Sequence, residues 1–216
     1  MIAVSLARER DALQEDAVAR KAMRKTEITR KTRETDIKLL LNIDGRGQAQ
    51  VVTGVGFMDH MLTLFAAHGL FDLVITAQGD TRVDDHHSVE DLGICLGQAL
   101  KKAVGDLAGM SRYGSSYVPM DEALVRVCVD FSNRSFLHYN VTLADQKVGS
   151  FDTSLTKEFL RALVLHSGAT LHVDMLHGEN THHIIEAIFK ALGRAVADAL
   201  TPDYRVQGVL SSKGLL

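Results

Sequence analysis

The chain of 216 residues contains two cysteines, two prolines and no tryptophan. Cys95 and Cys128 are too few for a disulfide framework, and their scarcity is typical of a protein from a reducing compartment. It also excludes a metal site built on thiolates, so any metal chemistry must rest on imidazole and carboxylate ligands. The two prolines exclude a collagen-like or proline-rich chain.

Long apolar runs and an excess of one charge are also lacking. No segment approaches the roughly 18 apolar residues of a membrane helix, and the N-terminal segment lacks the apolar run of a signal peptide. Lysine and arginine number 24 against 27 aspartates and glutamates, giving a net charge of −3. This balance offers no basic excess for nucleic acid. We therefore expect a soluble, cytoplasmic protein without a membrane or nucleic-acid partner.

The order of secondary-structure signals predicts an α+β protein. Residues 1–25, rich in Ala, Arg, Glu and Lys, are predicted to form a helical N-terminal extension. Strands are predicted at 34–43 and 48–55, joined as a hairpin by the turn at Asp44-Gly45. The predicted elements that follow are a helix at 57–69, a strand at 73–77, a helix at 85–105, β-rich segments at 117–132 and 136–142, a helix at 152–166, a strand at 170–176 and a helix at 180–200.

The second half of the sequence repeats the first. Three pairs of segments match at offsets of 96 to 98 residues: HHxxE at 86–90 and 182–186, LGxA at 96–99 and 192–195, and DHMLTLFAAHG at 59–69 with KEFLRALVLHS at 157–167. No linker rich in Gly, Ser or Pro separates the halves. We therefore predict one body over residues 26–216, made of two repeats at about 26–110 and 111–216. Each repeat is expected to be a β-sheet with two helices on one face.

The repeated HHxxE turns carry the strongest chemical signal among the 10 histidines. On a helix the carboxylate shares a face with both imidazoles, which point in different directions. One such turn could be a solvent-facing bystander, but two copies at a repeat offset favour metal binding. Together with the equivalent positions of the first helix in each repeat, they offer five imidazoles and three carboxylates, enough for two ions: His60, His86, His87, Glu90, Glu158, His182, His183 and Glu186.

This donor set suits Mn, Fe, Co, Ni or Zn, and octahedral Mn is favoured if several imidazoles share a site with a carboxylate. Asp59 and Asp85 precede candidate ligands and are candidate acceptors for imidazole N–H groups, although surface carboxylates are the commoner case. His68 lies about two helical turns beyond His60 and on roughly the same face, so a role in the site is possible. The four remaining histidines are expected to be incidental: His138, His166, His172 and His177.

Seven stretches of the chain closely resemble the imidazoleglycerol-phosphate dehydratase family of histidine biosynthesis. The resemblance covers residues 26–214, nearly everything but the N-terminal segment. The matching stretches are RKTRETDI (30–37), GFMDHML (56–62), DDHHSVEDLG (84–93), SRYGSSYVPMDEAL (111–124), DFSNR (130–134), GENTHHIIEAIFKALGRA (178–195) and SSKG (211–214).

The resemblance implies a duplicated fold similar to domain 2 of ribosomal protein S5, two Mn2+ ions per active site, and a homo-oligomer of 24 subunits with sites at the interfaces. It implies that the eight residues selected by the repeat are the metal ligands, although many relatives carry His where this chain has Glu158. It implies that Glu34 is the substrate-binding and acid/base carboxylate, and that Arg112, Arg134, Ser212 and Lys213 bind phosphate. The chemistry of the reaction adds Glu90 and Glu186 as catalytic candidates, and the helical spacing adds His68 as a substrate-binding candidate.

The activity implied is dehydration of imidazoleglycerol phosphate to imidazole-acetol phosphate through a metal-stabilised imidazolate. A carboxylate suits the proton transfers, and the arginine fork suits phosphate. Two alternatives remain open. A dinuclear metallohydrolase would also use two metals and arginine, and an S5-like fold could bind RNA, although the net charge argues against that.

Overall fold

The structure is a computed structural model that describes residues 24–215. The predicted N-terminal extension, apart from its last two residues, lies outside the described residues. The described chain begins with a hairpin of two strands. The elements of the first repeat are β1 (Lys25–Lys31), β2 (Thr35–Asn42), β3 (Ala49–Val52), α1 (Gly56–Gly69), β4 (Asp72–Gly79) and α2 (His86–Val104). Those of the second repeat are β5 (Tyr113–Met120), β6 (Ala123–Asp130), β7 (Phe136–Asn140), β8 (Lys147–Val148), β9 (Phe151–Asp152), α3 (Leu155–Ser167), β10 (Thr170–His177) and α4 (Thr181–Ala199).

The two repeats have the same sheet topology. The first sheet has the order β1-β2-β4-β3 and the second the order β5-β6-β10-β7. In each sheet three strands are antiparallel and the edge strand runs parallel to its neighbour. A parallel edge strand requires a crossover, which α1 provides in the first repeat and α3 in the second. The predicted duplication and the α+β class are therefore confirmed.

The predicted hairpin of strands 34–43 and 48–55, which correspond to β2 and β3, is wrong. β3 pairs with β4 in parallel, not with β2. The reason is the loop at 44–48, whose amides at Arg46 and Gln48 donate to Asp72 Oδ1 at 2.8 and 3.2 Å. Because Asp72 begins β4, the loop is fastened to β4 and delivers β3 beside it.

Each sheet buries one face under two helices. Alternate residues of β2 and β6 are buried, the period expected when one face of a strand is covered. The helices also pack in pairs across the repeats, α1 against α4 and α2 against α3. The helices thus form a layer between the two sheets, and the apolar core fills the space on both sides of that layer. No helix between residues 24 and 215 is long and apolar enough to cross a membrane.

The repeated LGxA motif marks the point where these helices cross. A Cβ added to Gly97 of α2 would lie 2.5 Å from the carbonyl oxygen of Leu163 in α3, and one added to Gly193 of α4 would lie 2.4 Å from that of Phe65 in α1. Leu163 and Phe65 are themselves equivalent in the repeat. The glycines let the second helix of each repeat approach the backbone of the first helix of the other repeat.

Substituting Gly97 or Gly193 with alanine is expected to destabilise the protein by about 1–3 kcal/mol, because the new methyl group meets a backbone carbonyl that cannot rotate away. The intrinsic helix preference of alanine offsets only part of this. Thermal unfolding checks it, with Gly56→Ala as the control, since nothing lies within 4 Å of a Cβ there. A Tm for Gly97→Ala or Gly193→Ala equal to that of the control would contradict the close approach.

Candidate active site

One imidazole from α1 and two groups from α4 form the tightest cluster of metal-ligand type. His60 Nε2 lies 3.4 Å from Glu186 Oε2, and His182 Nε2 lies 3.3 Å from the same oxygen. Ligand atoms of these three residues all lie within 4.8 Å of one another, and no other such group of three occurs among residues 24–215. The helix pairing explains the cluster, since α1 brings His60 to the HHxxE turn of the opposite repeat.

Glu186 is held ionised inside this cluster. Burial raises the pKa of its carboxyl, but the hydrogen bond and charge of Lys190, with a further contribution from His60, outweigh burial and leave the pKa below its usual value. Lys190 Nζ lies 2.7 Å from Glu186 Oε1. The sequence reasoning missed Lys190, although its position four residues after Glu186 is the spacing of a helical ion pair. A buried carboxylate that stays charged is suited to bind a cation.

The first HHxxE turn is more open. His86 Nε2 lies 3.7 Å from Glu90 Oε2, and both side chains are nearly half exposed. Glu158 lies on α3, the helix packed against α2, and its carboxylate contacts Arg161 Nη1 at 3.3 Å. Unlike His60, Glu158 forms no cluster with the opposite HHxxE turn among residues 24–215, and its carboxylate is instead in a salt bridge on its own helix.

The second imidazole of each HHxxE turn is held by a carboxylate. His87 Nδ1 lies 3.0 Å from Asp80 Oδ2, and His183 Nδ1 lies 2.7 Å from Glu122 Oε2. These hydrogen bonds are the main cause of the raised pKa of both histidines. With Nδ1 occupied as donor, Nε2 is the atom left to bind a metal, the arrangement common around ligand histidines.

The carboxylates that hold the histidines are not the two that the sequence suggested. Asp59 Oδ1 instead accepts from the Thr53 amide at 3.0 Å, fastening the start of α1 to the preceding loop. Asp85 is the residue just before α2, and burial raises the pKa of its carboxyl, with a smaller contribution from Asp84. Asp80 lies seven residues before His87 at the end of β4, where no helical spacing could have indicated it.

Glu34 lies at the tip of the β1–β2 hairpin, beside the first HHxxE turn. Its Oε2 lies 3.8 Å from His87 Nδ1, and its backbone carbonyl accepts from the Asp80 amide at 3.0 Å. The carboxylate is about half exposed. The structure therefore brings the predicted acid/base residue next to a predicted metal ligand that lies 53 positions away in the sequence.

The predicted phosphate-binding residues surround a separate pocket of 1160 Å³, whose lining includes Arg112, Arg134, Ser212 and Lys213. None of the candidate metal ligands lines this pocket. His68 lies elsewhere, near the end of α1. Burial and the charges of Lys190 and Arg194 lower the pKa of its imidazole. Within one chain, the pocket of the predicted phosphate-binding residues is therefore separate from the candidate metal ligands.

Arg112 is already engaged in this pocket. Its Nε and Nη2 donate to the two carboxylate oxygens of Asp130 at 2.7 and 3.0 Å, and its Nη1 donates to the Leu210 carbonyl at 2.7 Å. The hydrogen bond with Asp130 is the main cause of its raised pKa. Arg112 therefore holds in place the segment that carries Ser212 and Lys213.

Comparison with known proteins assigns the chain to a family. The family model described as imidazoleglycerol-phosphate dehydratase matches residues 53–196. The chain belongs to the imidazoleglycerol-phosphate dehydratase family. It is 59% identical to the enzyme of that name from Thermoanaerobacter pseudethanolicus over 194 residues, which are 90% of this chain and 100% of the relative. It is 58% identical to that from Desulfotalea psychrophila over 193 residues, covering 89% of this chain and 96% of the relative.

Two solved structures of imidazoleglycerol-phosphate dehydratases have the same fold. The enzyme from Staphylococcus aureus matches with a TM-score of 0.73 and 46% identity, covering 82% of this chain and 98% of that one. The enzyme from Pyrococcus furiosus matches with a TM-score of 0.77 and 40% identity, covering 88% of this chain and 100% of that one.

In this imidazoleglycerol-phosphate dehydratase family member, one chain assembles only part of the predicted ligand set. Three ligands converge between α1 and α4, two lie open on α2, and His87 and His183 are bound through Nδ1 to carboxylates outside the set. Glu158 is in a salt bridge of its own.

Proposed function

We propose that this protein dehydrates imidazoleglycerol phosphate to imidazole-acetol phosphate in histidine biosynthesis. The observation that carries the proposal is the convergence of His60, His182 and Glu186 between the two repeats, in a chain whose relatives bear the name of this dehydratase over nearly their whole length. The enzyme would be a hydro-lyase, which breaks a carbon–oxygen bond and keeps the phosphate in its product.

The donor set fits a divalent cation of intermediate hardness. Glu186 is ionised and buried, and the imidazoles of His87 and His183 are each hydrogen-bonded through Nδ1 to a carboxylate, which leaves Nε2 as the metal-binding atom. Nε2 of His183 also lies 4.0 Å from Asp121 Oδ2. We propose two Mn2+ ions per active site, held by the eight repeat-related residues. When bound, divalent cations supply positive charge that stabilises a substrate imidazole deprotonated at nitrogen.

Glu34 is the proposed acid and base. Its carboxylate would first take the proton released by the substrate imidazole nitrogen and pass it to the hydroxyl on the adjacent carbon, so that this group leaves as water. The carboxylate would then take the proton from the next carbon and return it to the imidazole nitrogen, giving an enol that becomes the ketone product. General acid–base catalysis requires such a group within hydrogen-bond reach of both positions. The Glu34 carboxylate at the tip of the β1–β2 hairpin is about half exposed, so a substrate can reach it. Glu90 and Glu186 would combine metal binding with a share of these transfers.

The substrate phosphate would bind at Arg134, Ser212 and Lys213, with Arg112 holding that segment in place through Leu210. His68 would lie beside the bound substrate. Because this pocket shares no lining residue with the histidine cluster of the same chain, we propose that active sites are completed between subunits of a homo-oligomer of 24 chains. The two cysteines are free thiols, which accords with a cytoplasmic enzyme.

Chelator treatment is expected to abolish turnover of imidazoleglycerol phosphate, and added Mn2+ is expected to restore it, because the substrate anion would have no other stabilising charge. Turnover is followed by 31P NMR, in which the phosphorus must remain in the organic product. Release of inorganic phosphate would instead indicate a metallohydrolase. Full turnover by the stripped protein would overturn the metal mechanism.

Metal content provides a readout independent of turnover. His60→Ala is expected to lower the number of Mn2+ ions bound per chain, since it removes one imidazole of the convergent cluster. The matched control is His138→Ala, a histidine of β7 that faces Asp174 at 3.7 Å and lies outside the predicted ligand set. Equal metal content in the two variants would contradict the proposed ligand role of His60.

A further inference from the structure

A buried polar cluster outside the proposed ligand set joins three elements of the first repeat. One carboxylate oxygen of Asp91, on α2, accepts a hydrogen bond from the hydroxyl of Thr35 on β2. The other oxygen lies 2.9 Å from Nη2 of Arg30 on β1. Asp91 and Thr35 are only 7% and 4% exposed. A carboxylate buried to this extent with both oxygens engaged fixes the relative position of the elements it joins.

The members of this cluster adjoin the proposed chemistry in the sequence. Thr35 directly follows Glu34, and Asp91 directly follows Glu90. The hydrogen bond between Thr35 and Asp91 therefore links the hairpin tip that carries the proposed acid/base residue to the helix that carries three proposed metal ligands.

The hairpin tip is also tightly closed within itself. Thr32 Oγ1 accepts from the amides of Glu34 and Thr35 at 3.0 and 2.9 Å, and the Thr32 amide donates to the Thr35 carbonyl at 2.8 Å. The tip thus behaves as a small rigid unit whose orientation depends on how it is fastened to its surroundings. Besides the pairing of Thr35 with Gly79 between β2 and β4, those fastenings are the hydrogen bonds from the Thr35 hydroxyl to Asp91 and from the Asp80 amide to the Glu34 carbonyl.

We propose that Thr35 and Asp91 are positioning residues for Glu34. Their hydrogen bond sets the distance and angle between the Glu34 carboxylate and α2, and hence between the acid/base group and the substrate bound at that helix. The inference rests on the proposed function, because it takes Glu34 as the group that transfers the proton. It adds a role for two buried residues that lie outside the proposed ligand and substrate-binding sets.

The test compares Thr35→Val, which keeps the shape and removes the hydroxyl, with Thr35→Ser, which keeps the hydroxyl. Thr35→Val is expected to lower kcat by roughly 10- to 100-fold, the loss associated with a small misplacement of a catalytic group. KM and the number of Mn2+ ions bound per chain are expected to stay unchanged, because neither the phosphate pocket nor a ligand is altered. Thr35→Ser is expected to recover most of the lost kcat.

A matched control separates positioning from general stability. Thr26 is also a buried threonine, and its hydroxyl donates to the Ala99 carbonyl of α2 at 3.2 Å. It bridges a strand of the same sheet to the same helix, but far from Glu34. Thr26→Val is expected to lower Tm to an extent similar to Thr35→Val while leaving kcat unchanged.

Three results would overturn the inference: an unchanged kcat in Thr35→Val, a kcat in Thr35→Ser as low as in Thr35→Val, or an equal loss of kcat in Thr26→Val. Should Thr35→Val not accumulate as folded protein, Thr35→Cys is compared with Thr35→Ser instead, since a thiol is a weaker donor in a similar shape. An equal kcat in that pair would likewise overturn it. Glu34→Gln separates this inference from the proposed function. Full turnover by this variant would show that Glu34 is not the acid/base, whatever Thr35 does, whereas a lack of dehydration by the unmodified protein would overturn the proposed function.

Discussion

Replacing Glu34 with glutamine is expected to lower kcat by roughly 10²- to 10⁴-fold, the usual contribution of a positioned acid or base. The amide has nearly the same shape but can neither give nor take the proton. The backbone of the hairpin tip is held by Thr32 and by the Asp80 amide, not by the Glu34 side chain. The substitution should therefore leave the fold, the metal content and the Kd for substrate close to those of the unmodified protein.

Glu27→Gln is the control for this substitution. Glu27 lies on β1 of the same hairpin, where its carboxylate contacts Lys38 Nζ at 3.0 Å on the surface. Its loss is expected to leave kcat unchanged, because exposed ion pairs contribute little. If Glu34→Gln turns over substrate at the full rate, Glu34 is not the acid/base. If it instead loses bound Mn2+, its role is that of a ligand.

The duplication of the fold was predictable because short sequence motifs recur in the two halves of the chain. HHxxE and LGxA recur at a fixed offset, and the same strand order in both sheets confirms that the recurrence is structural. The alignment also made His60 and Glu158 equivalent. It did not indicate which HHxxE turn each would face, since that depends on how the helices cross. Gly97 and Gly193 decide it, because they admit the backbone of the helix from the other repeat.

Contacts between distant residues were beyond the reach of sequence patterns. Glu122 holds His183 from 61 positions away, and nothing in the periodicity around residue 122 indicates it. The hairpin error has the same origin. The turn at Asp44-Gly45 is a valid local signal, but two hydrogen bonds from the following loop to Asp72 override it. Lys190 is the exception, since its spacing from Glu186 on α4 was visible in the sequence.

The phosphate-binding candidates and the acid/base candidate lie in separate places within one chain, which predicts complementation between inactive variants. Lys213 lies in the pocket near the C-terminus, whereas Glu34 lies beside His87. If one active site takes Lys213 from one chain and Glu34 from another, then two inactive variants can complement each other. Co-expression of Glu34→Gln with Lys213→Glu is expected to give up to about a quarter of normal sites in randomly mixed oligomers. Each variant alone is expected to be almost inactive, because one lacks the proton-transfer group and the other repels the substrate phosphate.

The control pair combines Glu34→Gln with His87→Ala. These side chains lie 3.8 Å apart in one chain, so both must serve the same active site. Mixed oligomers of this pair then contain no site in which both residues are intact, and co-expression is expected to restore nothing. The measurement is the specific activity of purified mixed oligomers carrying two different affinity tags. No restoration in the test pair would place Lys213 and Glu34 of one chain in one site and contradict completion of the site between subunits. Restoration in the control pair would contradict the premise that Glu34 and His87 of one chain serve the same site.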